Sequence, residues 1–174
     1  MPLLDRNGSR DDRWTRSDGA AIGNIPAALV PWEALTEALA AQTPDQEIGV
    51  ILPNSVPFAE LAPFLARLAL VAIAFPAYSD GRGFSLARQI RRAGFEGEIR
   101  ANGPLIADQF AYALSSGFDT IELPEASAAR QPVPQWLHAR ESFSATYQRG
   151  YDGAERNILD RRKAARAASG IAAE

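Results

Sequence analysis

Ile48-Gly49-Val50-Ile51-Leu52-Pro53 and Leu70-Val71-Ala72-Ile73-Ala74-Phe75-Pro76 are the stretches on which the fold turns. Each is a short apolar run stopped by proline, which reads as a buried strand. Between them, Ser55 and Pro57 open a helix with Phe58, Leu61, Leu65 and Leu68 on one face. Toward the C-terminus the rhythm continues. Phe84 to Ala93 is predicted as a helix with Leu86, Ala87, Ile90 and Ala93 inward and Gly94 as its cap. Glu98 to Ala101 is a third strand, and Leu105 to Ser116 a third helix, with Ile106, Phe110, Ala113 and Leu114 inward and Gly117 as cap. Thr120-Ile121-Glu122-Leu123 is a fourth strand. Toward the N-terminus, Ile25 to Val30 leads into a helix begun at Pro31, with Trp32, Leu35 and Leu39 at helical spacing, ended by Thr43-Pro44-Asp45.

Alternation of strand and helix predicts a parallel sheet with right-handed crossovers. A full eightfold barrel takes about 250 residues, and this chain has 174. The expected α/β architecture is therefore a short parallel sheet of about four βα units, either an open sheet or half of a TIM-like barrel, with flanking helices. Residues 1–24 form a polar N-terminal arm, with at most one short strand, anchored by Trp14. Residues 25–150 make the α/β domain. After Glu125 the pattern weakens: Gln131-Pro132-Val133-Pro134 reads as a linker or turn, Trp136 to Tyr147 as partly helical, and residues 151–174 as a solvated helical tail rich in Ala and Arg.

Composition narrows the function classes. The net charge is −3, which gives no push toward nucleic acid. Arginine supplies nearly all the positive charge, because Lys163 is the only lysine. Arginine suits bidentate binding of oxyanions and carboxylates, although a GC-rich coding sequence produces the same bias. There is no cysteine, which excludes disulfides, thiolate catalysis and cysteine-ligated iron–sulfur clusters. The first residues, Met1-Pro2-Leu3-Leu4-Asp5-Arg6, lack the apolar run of a signal peptide. No apolar stretch approaches the roughly 20 residues of a membrane span. A cytoplasmic protein is expected.

Ligands of parallel sheets bind outside the carboxyl ends of the strands. That rule selects Asn54-Ser55, Tyr78 to Gly83, Asn102-Gly103 and Glu122 to Glu125. The second segment is the most informative. In Asp80-Gly81-Arg82-Gly83-Phe84-Ser85, two glycines flank an arginine just before a helix. Glycine lets the backbone approach a ligand, a helix N-terminus offers free N–H groups, and Arg82 adds a fork of donors. A small oxyanion fits that combination, and so does a tight Asp-Gly turn with a capping serine and a surface arginine. Arg88 and Arg92 follow Ser85 along one helical face, as a solvated basic face or a ligand surface. Arg100 alternates onto the face opposite Ile99, together with Glu98 and Asn102. If that face lines a half-barrel, Arg100 meets Glu122, more as a buried structural ion pair than as catalytic groups. Asp108-Gln109 begins the third helix, where a carboxylate is stabilised without any function, and Asp108 shares a face with Tyr112. His138, the only histidine, makes no metal site of familiar spacing.

Phe75-Pro76, Asp80 to Arg88, Gly97-Glu98-Ile99-Arg100-Ala101, Asp108-Gln109 and Gly117-Phe118-Asp119 occur in an order that resembles the bacterial family called domain of unknown function 934. Phe143-Ser144-Ala145-Thr146-Tyr147-Gln148 is similar to that family's C-terminal signature. Two places depart from its pattern: Ala107 stands where arginine often precedes Asp-Gln, and Ser115-Ser116 where Arg-Cys often precedes Gly-Phe-Asp. The resemblance implies an oxidoreductase component or accessory protein of assimilatory sulfite reduction. Six-electron reduction of sulfite needs a haem-type centre coupled to an iron–sulfur cluster, and the chain has neither cluster thiolates nor a dinucleotide loop. The expectation is an accessory protein without cofactor or metal, binding a small oxyanion or sulfite/nitrite reductase through Gly81, Arg82, Gly83, Ser85, Arg88, Arg100, Asp108 and Gln109. Two other readings stay open: a small enzyme on an anionic metabolite, with Asp80 or Glu122 as acid–base and arginine clamps, or a homodimeric structural module.

Overall fold

The computed structural model describes residues 1–19 and 21–142. Five parallel strands run in sequence order across the centre: β4 (Ala27–Pro31), β5 (Glu47–Pro53), β6 (Leu70–Ala74), β7 (Glu98–Asn102) and β8 (Thr120–Glu122). The arm adds β1 (Leu3–Asp5) and β2 (Gly8–Arg10) as an antiparallel hairpin against β8, and β3 (Thr15–Arg16) parallel to β4 at the other edge. The sheet order is β2-β1-β8-β7-β6-β5-β4-β3. The sheet thus has eight strands, larger than the four βα units expected. Ala27–Pro31, read as a lead-in to a helix, pairs along its whole length with β5. The arm supplies three strands where at most one was expected.

Connectivity forces this sheet to curl. A flat sheet of eight strands would hold its edges about 34 Å apart. Only residues 11–14 separate β2 from β3, and such a link reaches about 17 Å. The edges must therefore approach each other, and the sheet forms an open half-barrel.

Parity along the strands gives each face its own content. Ala28, Val30, Ile48, Val50, Leu52, Val71, Ile73, Ile99, Ala101 and Ile121 point to the convex face and join the main core. Among the described residues six helices accompany the sheet: α1 (Leu35–Ala41), α2 (Phe58–Leu61), α3 (Arg82–Arg92), α4 (Phe110–Ser115), α5 (Glu125–Arg130) and α6 (Val133–Ser142). Leu35 and Leu39, Leu61, then Phe84, Leu86 and Ile90, Phe110 and Ala113, and Trp136 bury their helical faces in that core. The concave face holds a second, small cluster of Ala27, Leu29, Leu70 and Ala72 under the Trp14 ring.

Two helices differ from expectation. The segment predicted from Ser55 to Leu68 is one turn of α-helix followed by a 3-10 stretch over Ala62–Arg67, because Pro63 has no N–H to continue the ladder. The helix predicted over Leu105–Ser116 starts as a 3-10 turn at Ala107–Gln109 and becomes α-helical only at Phe110. Gly94 and Gly117 follow their helices at φ +85° and +104°, as the cap reading requires. The linker expected around Pro132 already holds the first residues of α6. The expected tail at 151–174 and the signature at 143–148 lie outside the described residues.

Candidate functional site

The strand ends and the concave face divide the candidate residues into separate groups. Arg100 sits inside the half-barrel with 1% of its surface exposed. Its Nη1 and Nη2 donate to Asp12 Oδ2 and Oδ1 at 2.7 and 2.9 Å. Its Nε and Nη2 reach Glu98 Oε1 at 3.2 Å each, and Nη1 reaches Glu122 Oε2 at 3.3 Å. Thr120 Oγ1 donates to the same Glu98 oxygen at 2.6 Å. Arg16, on the opposite edge strand, donates to Glu122 Oε1 at 2.6 Å, a contact possible only across a curled sheet. Arg10 lies 3.8 Å from Glu98. Three arginines therefore face three carboxylates, with no surplus charge to attract an external anion. Burial pushes the Asp12 carboxyl up, but the Arg100 guanidinium, the Trp14 N–H and Arg16 outweigh it and leave Asp12 below its ordinary range. The Arg100 guanidinium is penalised by its own burial, yet Asp12, Glu98 and Glu122 raise its pKa on balance. Glu122, one acid–base candidate, is 3% exposed with both oxygens held by arginines.

The Asp80–Ser85 loop lies elsewhere, at the C-terminal ends of β5 and β6. Asp80 Oδ1 accepts from the Arg82 backbone N–H at 3.2 Å and from Arg82 Nε at 3.0 Å, while Arg82 Nη2 donates to Oδ2 at 2.7 Å. Asp80 thus caps the first turn of α3 and holds the guanidinium by one edge. The Arg82 guanidinium, helped by the nearby Asn54 amide, holds the Asp80 carboxyl far below the usual carboxylate range. A carboxyl so firmly ionised is a poor proton carrier near neutrality. Arg82 Nη1 has no partner among the described residues.

The two glycines have different reasons. A Cβ on Gly83 would sit 2.4 Å from Cζ of Phe75, so this glycine makes room for an aromatic ring. A Cβ on Gly81 would meet nothing within 4 Å, and its φ of −78° is open to any residue. The glycines do not form a phosphate-type cradle; packing accounts for one and nothing requires the other.

Beside Arg82 is an open cleft of about 280 Å³ between the turn after β5 and the start of α3. Asn54, Ser55, Arg82, Ser85 and Gln89 supply its polar lining; Val56, Pro57, Phe58 and Leu86 supply the apolar walls. Asn54 is 9% exposed, and its Nδ2, although close to Asp80, has no hydrogen bond of good geometry. The backbone turn that presents it is fixed by Val56 N–H donating to Pro53 O at 3.0 Å.

The remaining candidates serve neighbours. Arg88 lies over the Tyr112 ring, 5.1 Å from its centroid. Gln109 donates to Tyr78 O at 2.8 Å and accepts from Ile106 N–H at 3.2 Å, stitching the start of α4 to the loop after β6. Asp108 is exposed on the 3-10 turn preceding α4. No hydrogen bond or ion pair joins Arg82 to Arg100 among the described residues. Asp12, in the link between β2 and β3, and Arg16, in the two-residue β3, carry no periodic signal in the sequence, and Val56, Phe58 and Gln89 reach the cleft only through tertiary packing. Among the described residues no group of His, Asp and Glu has the arrangement of a metal site, and no helix is long and apolar enough to cross a membrane.

Comparison with known families finds that a model described as a bacterial protein of unknown function, DUF934, matches residues 49–157. That span contains Asn54, the Arg82 loop, Arg100 and Glu122 and leaves out the arm. No curated protein matches the chain.

Proposed function

We propose, from the premise that the chain belongs to the bacterial DUF934 family, that it is an accessory protein that holds a small oxyanion in the cleft between Asn54 and Arg82. The observation that carries this reading is a cleft lined both by Asn54, whose buried Nδ2 has no well-formed hydrogen bond, and by Arg82 at the N-terminus of α3, whose guanidinium Asp80 holds along one edge only. Helix N–H groups, two serine hydroxyls and a guanidinium are the donors that bind oxyanions elsewhere. The role beside sulfite reductase rests on the family resemblance, which makes sulfite the first anion to try and the reductase the first protein partner.

Thermal unfolding in sulfite, sulfate, phosphate and chloride tests the reading, because a ligand of the folded state raises the melting temperature. Sulfite or sulfate should raise it beyond the effect of chloride at equal ionic strength, and Arg82→Ala should remove the difference while unfolding cooperatively. Equal responses to all four salts, or an undiminished shift in Arg82→Ala, would overturn it.

A further inference from the structure

The cleft is larger and more apolar than a bare oxyanion needs. Its volume of about 280 Å³ approaches the roughly 300 Å³ at which pockets for organic ligands begin. Its donors come from both walls: Asn54 and Ser55 from the turn after β5, and Arg82, Ser85 and Gln89 from α3. Beside them, Val56, just before α2, and Phe58, its first residue, stand half-buried with part of each side chain against the core, and Leu86 adds an apolar residue from α3. A cleft lined by both donors and apolar side chains suits an amphipathic ligand, which has a partner for each kind of surface.

We infer that the ligand is an organic oxyanion, a charged head of the sulfonate or phosphomonoester type carrying a short apolar body, with its head at Asn54 and Arg82 and its body against Val56 and Phe58. This inference rests on the oxyanion reading above and refines it. The Asp80–Arg82 ion pair fits the same ligand. With one edge of the guanidinium neutralised by Asp80, the head meets a weakened net charge, and contact with the apolar wall must supply a larger share of the affinity.

Isothermal titration of the full chain with matched pairs tests it: sulfate against butanesulfonate, and inorganic phosphate against phenyl phosphate. The organic member of each pair should bind at least tenfold more tightly. Phe58→Ala and Val56→Ser should each reduce that preference severalfold and leave the inorganic affinity unchanged. Two variants guard against one failing to fold, and Arg82→Ala should weaken all four ligands. Inorganic ions binding as tightly as their organic partners would overturn the inference and leave the oxyanion site standing. Organic preference that survives both wall substitutions would place the body elsewhere and overturn it as well. No binding of any of the four would sink both readings together.

Discussion

Two arginines of this chain meet carboxylates in opposite environments, and the difference decides what each does. Arg100 is buried among Asp12, Glu98 and Glu122. Arg13 pairs with Glu47 at 2.9 and 2.5 Å, but both side chains are about half exposed. Removing the partner of a buried carboxylate costs about 3–5 kcal/mol, whereas an exposed pair contributes about 0–1 kcal/mol. Urea unfolding should therefore show Arg100→Ala losing about 3–5 kcal/mol and Arg13→Ala less than about 1 kcal/mol. Equal losses would mean that the interior network is hydrated. The approach of Arg100 to Glu122 was legible in the sequence, because strand parity puts residues 98, 100 and 102 on one side and a half-barrel brings strands together. The third carboxylate was not legible: Asp12 lies 88 positions away in a polar arm with no pattern of its own.

At the scale of elements, apolar runs ending at proline located β5 and β6, because a buried parallel strand needs a continuous apolar stretch and proline interrupts its ladder, while β7 and β8 followed from the alternation of strand and helix. The same signals failed for β1, β2 and β3, each two or three residues long. Such short edge strands bury too little to leave a period. The glycine loop before α3 suggested a ligand cradle, yet its tight position is set by Phe75. Gly83→Ala should destabilise the fold by about 1–3 kcal/mol through overpacking, with partial recovery in the Gly83→Ala, Phe75→Leu double variant. Gly81→Ala should be close to neutral. Thermal melts of the three variants check both statements; a neutral Gly83→Ala would show that the ring yields without cost.

Over the described residues the molecule is a curled sheet whose open side is crossed by its own arm. Asp12, Arg13 and Arg16 tie that arm to β7, β5 and β8 through ion pairs, and Trp14 covers the small concave cluster. Asp12 and Glu47 both titrate below their ordinary values, Asp12 because Arg100 outweighs its burial and Glu47 because Arg13 donates to it. A depressed carboxyl contributes stability that is complete above its unfolded pKa, about 4, and is lost as pH falls through the folded value. Hydrogen exchange should accordingly find residues 10–16 as protected at pH 5 as at pH 7 and progressively less protected below about pH 4. Loss of protection between pH 7 and 5 would assign the latch to some other group.

With the interior charge-balanced and strapped shut, the cleft beyond the ends of β5 and β6 is the place proposed for an anion to enter. Amide chemical-shift mapping during a sulfite titration tests that assignment most directly. Saturable shifts are expected to centre on Asn54, Ser55 and the first turn of α3 from Arg82 to Ser85, with Asp12, Arg100 and Glu122 unmoved. Shifts centred on the Arg100 network, or none that saturate, would contradict it.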